Sequence, residues 1–182
     1  MARLFPAVSL TLLAGATLTG CMNIHVPDNA FLRPDSATGY KYSGPVSTEK
    51  IHKASPGATL NDVELQSADQ QVLKGIQALP PKTLDGVTVL YFGGNLSHAD
   101  DNIPFLLRNT ANCAVPLYTF DYRGYGRTTG TPDTKSLKED ALKIYDEVRS
   151  RVTGKLIVHG HSLGSFMAGH IAQHRQPDGL VL

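Results

Sequence analysis

The hydrophobic rhythm of the chain changes several times, and each change marks an element. Val63 and Leu65 alternate with Glu64 and Gln66, Ala68-Asp69-Gln70-Gln71 interrupts them, and Val72, Leu73, Ile76 and Leu79 resume the apolar pattern. That reads as a β-hairpin over Asp62–Leu79, stopped by Pro80-Pro81. Val87-Thr88-Val89-Leu90-Tyr91-Phe92 is nearly continuous in apolar character, as in a strand covered on both faces. From Asp101 to Asn112, Ile103, Leu106, Leu107 and Ala111 share one helical stripe, with Pro104 in the first turn. Val115 to Phe120 is a second buried strand, with Pro116 near its start, where proline is tolerated. Ser136 and Glu139 form a capping box for a helix whose face is Leu137, Ala141, Ile144, Val148 and Val152, ended by Gly154. A third apolar run starts at Lys155, a helix follows to about His174, and Leu180-Val181-Leu182 opens another strand. Strands alternating with helices predict an α/β domain, a mostly parallel sheet with helices on both faces.

The N-terminal third lacks such periodicity. Pro27, Pro34, Pro45 and Pro56 punctuate Met22–Leu60, with Gly39, Gly44 and Gly57 between them. This predicts a tether followed by an irregular arm, with Tyr40 and Tyr42 as points that pin it. The chain thus divides into a leader (1–20), a tether and arm (21–60) and the N-terminal part of a folded domain (61–182).

Composition narrows the partners. In 182 residues, 17 basic side chains face 16 acidic ones and no basic block stands out, so nucleic acid is not an expected partner. Two cysteines, Cys21 and Cys113, are too few for a disulfide framework. Met1-Ala2-Arg3 is a short basic start, and Leu4–Ala16 is apolar but too short to span a bilayer comfortably, as in a signal peptide. Leu18-Thr19-Gly20-Cys21 then resembles the lipobox of bacterial lipoproteins. The resemblance implies lipid on Cys21, a mature chain that starts there with balanced charge, and a place in the cell envelope. Met22, rather than Asp, after the cysteine points to an outer membrane where the source has one. An ordinary signal peptide is the alternative. With Cys21 lipidated, Cys113 has no intramolecular partner and is expected to be a buried free thiol at the start of a strand.

The chemistry concentrates at Gly160-His161-Ser162-Leu163-Gly164, between the Lys155 strand and a helix. This is the strand–turn–helix setting of a G-x-S-x-G nucleophile elbow. Ser162 must occupy a cramped turn so that its hydroxyl projects from the strand end, and Leu163 N–H lies at the head of the next helix, where an anion is favoured. Two more loops follow strands on the same sheet edge, Gly93–Ser97 and Asp121–Thr131, which is where open α/β sheets place their sites. Asp100-Asp101 is expected to cap the helix after the first loop. His170 and His174 have the i, i+4 spacing of a zinc pair but lack the companion Glu and a third ligand, so no metal is expected. No cofactor motif is present either: no G-K-[ST] follows the glycine-rich loops.

Three segments together, Tyr91-Phe92-Gly93-Gly94-Asn95, Asp121-Tyr122-Arg123-Gly124-Tyr125-Gly126 and Gly160-His161-Ser162-Leu163-Gly164, resemble the α/β-hydrolase superfamily, in its compact lidless branch of serine-peptidase-like and depalmitoylase-like hydrolases. The resemblance covers about Asp62–Leu182. It implies Ser162 as nucleophile, an oxyanion hole from the backbone N–H groups of Asn95 and Leu163, and Asp121 with Arg123 as a pair that shapes the site wall. His161 becomes a wall residue. Gly93 stands where the superfamily often has His, but the donor is a backbone N–H and the hole is expected to survive. The implied activity is hydrolysis of carboxylic esters or thioesters, or of peptides, through an acyl-enzyme, with an ester or thioester as partner. The superfamily order is Ser, acid, His. Asp178 precedes the strand after Ser162, and His170 and His174 lie on the helix behind it, so the triad acid and His are absent from these 182 residues. Either further sequence supplies them, or the chain is a truncated, non-catalytic module that binds or scaffolds.

Overall fold

The computed structural model describes residues 26–84 and 86–182. The signal peptide and Cys21 lie outside the described residues. Six strands form one mixed sheet: β1 (Thr59–Gln66), β2 (Val72–Leu79), β3 (Val87–Phe92), β4 (Leu117–Phe120), β5 (Lys155–Gly160) and β6 (Gly179–Val181). Their order is β1-β2-β4-β3-β5-β6. β1 and β2 make the expected antiparallel hairpin, with Leu65 opposite Leu73. β2 meets β4 antiparallel, and β3, β4, β5 and β6 pair in parallel.

Alternation along the strands loads both faces. Leu90 and Phe92 of β3, Tyr118 and Phe120 of β4, and Leu156 and Val158 of β5 face one core with α4 (Thr134–Arg151) and α5 (Leu163–His174). Tyr91 of β3 and Leu117 of β4 face the other, with Ile103, Leu106 and Leu107 of α3 (Ala99–Asn109) and Ile51 of α2 (Thr48–Ala54). Two-sided burial explains why these strands read as continuous apolar runs. The parallel register sets Phe92 beside Gly160 and Tyr91 beside Thr119, so three strands end at one level. All three glycine-rich loops leave from that edge.

Several boundaries differ from expectation. α3 begins at Ala99 with His98 as N-cap, and Asp100 caps nothing. Its carboxylate is drawn off by a stronger partner: it accepts from Nε and Nη2 of Arg127, both at 2.7 Å, and from Val46 N–H at 2.8 Å. The earlier start places Pro104 beyond the first turn, where its missing N–H leaves one carbonyl without a helical donor. The capping box of α4 lies three residues earlier than Ser136–Glu139: Asp133 accepts from Ser136 N–H at 2.9 Å, and Ser136 Oγ accepts from Asp133 N–H. Cys113 is exposed in the turn after α3, because β4 begins only at Leu117.

Residues 26–58 are more ordered than their sequence suggests. They hold α1 (Asp35–Thr38) and α2, and fix themselves to the domain. Asp28 accepts from the N–H and Oγ1 of Thr134 at the head of α4. Leu32 is 3% exposed among Tyr122, Tyr125 and Leu137. Tyr40 stacks on His98 at 3.7 Å, as its pinning role required. Asp35 receives Gly126 N–H at 2.8 Å and contacts His98 Nε2 at 2.8 Å. Truncating Leu32 opens a core cavity, so Leu32→Ala is expected to lower unfolding free energy by about 2–4 kcal/mol. Urea denaturation checks this; a cost near zero would mean the arm is not part of the domain core.

Candidate active site

The elbow forms because two glycines let backbone approach backbone. A Cβ on Gly164 would collide with the Phe92 carbonyl, and one on Gly160 with the Gly164 carbonyl. His161 N–H donates to Phe92 C=O at 3.0 Å, tying the turn to the end of β3. Between the glycines Ser162 adopts φ 54° and ψ −115°, which costs a non-glycine residue about 1–3 kcal/mol. The strain turns the serine outward, and Ser162 is exposed. Leu163 is the first residue of α5, so its N–H has no acceptor within the helix.

The Gly93–Ser97 loop sits against this turn. A Cβ built on Gly94 would stand 3.4 Å from Ser162 Cβ and 3.2 Å from His161 Nδ1. The loop is held from below by two tyrosines of the Asp121–Thr131 loop. Buried Tyr122 donates its hydroxyl to Gly93 C=O at 2.8 Å. Tyr125, 0% exposed, donates to Asn95 Oδ1 at 2.7 Å. Arg33 N–H donates to the same oxygen at 3.0 Å, and Asn95 Nδ2 donates to Phe31 C=O. The Asn95 side chain is therefore held by the arm and by Tyr125.

Asp121 and Arg123 do not pair with each other. Asp121 accepts Ala99 N–H at 2.7 Å and Arg127 N–H at 2.9 Å, bridging the start of α3 to its own loop. Gly126, at φ 51°, leaves room for that carboxylate: a Cβ there would stand 2.5 Å from Asp121 Oδ2. Arg123 grips Asp140 of α4 through Nε at 2.5 Å and Nη2 at 2.7 Å, and Asp69 of the β1–β2 turn through Nη2 at 2.8 Å. Asp140, then Asp69, push the Arg123 guanidinium further up, and Arg123 in turn, with the Ser67 hydroxyl, holds Asp69 well below the usual carboxylate range. Each residue found a different partner because Asp140 and Asp69 come from distant segments that spacing along the chain does not reveal.

Beside Ser162 lies a cavity of about 490 Å³, lined by Tyr91, Leu96, Phe105, His159 and His161 among others. His161 thus forms part of a wall. Burial, then the neighbouring His161, holds His159 below the ordinary histidine value. Among the described residues, no imidazole or carboxylate is hydrogen-bonded to Ser162. Asp178 lies at the opposite sheet edge, accepting Leu156 N–H at 2.7 Å and Arg149 Nη1 at 2.9 Å. The His170 and His174 rings lie tilted against each other with centres 4.2 Å apart. The structure thus brings together Ser162, Leu163, His161 and the Asn95 loop. Tyr122, Tyr125, Asp69 and Asp140 were not foreseen as parts of this frame.

A mixed sheet with β4, β3, β5 and β6 in parallel, a strained serine elbow and a glycine loop packed on it define an α/β-hydrolase. The sequence pattern described as "Serine aminopeptidase, S33" matches residues 88–182, and the chain belongs to that family. The lysophosphatidylserine lipase ABHD12 of Danio rerio is 32% identical over 101 residues, 52% of this chain and 26% of that protein. Protein bem46 of Schizosaccharomyces pombe is 28% identical over 110 residues, 58% of this chain and 37% of that one. The chain thus spans about a quarter of the length of the curated lipases it matches. XC6422 of Xanthomonas campestris, a serine hydrolase described as without lid, superposes with a TM-score of 0.58 at 19% identity, covering 66% of this chain and 59% of that one. A thermostable carboxyl esterase of Bacillus coagulans gives 0.56 at 21% identity, covering 67% and 43%. At these identities the two structures speak for the fold.

Burial pushes the Asp121 carboxyl up to about 6, against the pull of its two backbone donors. An unfolded Asp titrates near 3.9, so the folded protein holds this proton more tightly. The resulting stabilisation is complete below about pH 4 and is lost as pH rises through about 6, on the order of 3 kcal/mol in all. Asp121→Asn removes the titration. Between pH 4 and pH 7 the stability of the native protein should therefore fall relative to that of the variant, as read by urea unfolding. A difference independent of pH would show that Asp121 is ionised throughout.

Proposed function

We propose that the protein is a membrane-tethered serine hydrolase of carboxylic esters or thioesters, working through an acyl-enzyme on Ser162. The observation that carries this reading is the exposed Ser162 at φ 54° with the Gly94 loop against it. Ser162 Oγ attacks the carbonyl carbon, and the backbone N–H groups of Leu163 and Asn95 receive the charge that develops on its oxygen. Each such donor contributes roughly 3 kcal/mol to the transition state. The proton of the Ser162 hydroxyl passes to the leaving alcohol or thiol as the ester C–O or C–S bond breaks; water then adds to the acyl group, the acyl-serine bond breaks, the acid leaves and a proton returns to Ser162 Oγ. The wall beside Ser162 is built from Leu96, Phe105 and Tyr91, which suits an apolar acyl chain. The matched relatives named lysophosphatidylserine lipase favour a lipid ester over a peptide. Asp121 and Arg123 act as organisers of the loop, touching no substrate.

A serine hydroxyl is a weak nucleophile without an adjacent base. A domain of this fold that binds without catalysis is the second reading. Fluorophosphonate labelling of the full-length protein separates the two. The hydrolase reading expects one covalent adduct, located on Ser162 by mass spectrometry and lost in Ser162→Ala. Absence of any adduct supports the binding module.

Tethering through lipid on Cys21 completes the proposal. Each buried methylene contributes about 0.8 kcal/mol, so two or more chains give stable attachment. Cys21→Ser is expected to move the protein from the membrane to the soluble fraction on cell fractionation, and a variant that stays on the membrane contradicts the lipid anchor.

A further inference from the structure

We propose that the mouth of the Ser162 site docks edge-on against the surface of the bilayer that holds the Cys21 lipid, through an apolar row formed by Phe31, Leu96 and Phe105. The proposal rests on the lipid-anchor reading above.

Two independent observations lead there. The first is the row itself. Leu96 is 56% exposed, Phe105 53% and Phe31 38%. Leu96 and Phe105 line the same cavity beside Ser162, and the Phe31 carbonyl accepts from Asn95, next to Leu96. Leu96 is held out at φ 74°, a conformation rare for a side chain of its kind. The turn thus presents an apolar side chain to solvent at the lip of the cavity.

The second is a length. Only seven peptide units separate Cys21 from Asp28, and Asp28 is fixed to Thr134 at the head of α4. Seven residues reach at most about 25 Å even when fully extended. A domain of this size is roughly 40 Å across. The head of α4 follows β4 and stands on the carboxyl edge of the sheet, the edge that carries Ser162 and the Asn95 loop. A lipid on Cys21 therefore cannot hold the protein with that edge farthest from the membrane. The short leash and the apolar row select the same face. In this pose an ester embedded in the bilayer would pass from lipid to Ser162 along Leu96 and Phe105.

The test uses the full-length lipidated protein in vesicles of equal parts phosphatidylcholine and phosphatidylglycerol. Cys113, which is exposed, is first replaced in Cys113→Ser. An environment-sensitive fluorophore is then placed on Phe31→Cys, on Leu96→Cys and, at the opposite sheet edge, on Thr153→Cys. Docking predicts a blue shift and quenching by spin-labelled lipid for the first two labels and neither for the third. Three equally aqueous labels would overturn the docking. A blue shift that grows with protein concentration without vesicles assigns the row to a second copy of the chain and likewise overturns it. Cys21→Ser is run in parallel: if that variant stays on the vesicles, the anchor reading fails and takes the docking with it, whereas its release together with aqueous labels leaves the anchor standing and removes the docking alone.

Discussion

Two phenol hydroxyls hold the structure's functional edge together. Tyr122 bonds to the Gly93 carbonyl and Tyr125 to the Asn95 side chain, and through them the Asp121–Thr131 loop fixes the loop that lies on the elbow. Both tyrosines are buried, so an unmade bond would leave a polar group without water, at about 1–3 kcal/mol each. The loop that carries Asn95, whose Gly94 lies against Ser162, is thus tied to the core. The N-terminal arm closes the arrangement from outside, since Arg33 N–H and the Phe31 carbonyl complete the bonds of Asn95.

The arginines of the same loop act at longer range. Arg123 joins the loop to α4 and to the β1–β2 turn, and Arg127 joins it to α3 through Asp100 and to β1 through Asp62. The Arg123–Asp140 and Arg127–Asp100 pairs are buried and add little net stability, because desolvation offsets their attraction, but breaking one strands a charge at about 3–5 kcal/mol. Their effect is to fix geometry. One loop is anchored to both layers of helices and to the hairpin, so the sheet edge behaves as a single rigid rim around the serine.

The parts legible in the sequence are those set by local rules. The hairpin, the two-sided strands and the elbow were readable because period-two alternation, continuous apolar runs and close glycine contacts leave their mark within a few residues. The starts of α3 and α4 were misplaced because Asp100 and Asp133 are equally able to cap, and distant partners decide between them: Arg127 takes Asp100, and Asp28 binds the first N–H of α4. The arm read as irregular because its order comes from single contacts, such as Leu32 in the core and Tyr40 on His98, that have no period. The resemblance implies Asp121 and Arg123 as a pair, but Asp121 binds the Ala99 and Arg127 N–H groups and Arg123 binds Asp140 and Asp69.

The central claim is that Ser162 faces two converging backbone donors on this rim. A crystal structure of the full-length protein after reaction with a phosphonate ester tests it most directly. The account predicts phosphorus bonded to Ser162 Oγ and the phosphonyl oxygen about 2.7–3.1 Å from both Asn95 N and Leu163 N. A phosphonyl oxygen directed away from the Asn95 loop, or an adduct on another residue, would contradict it.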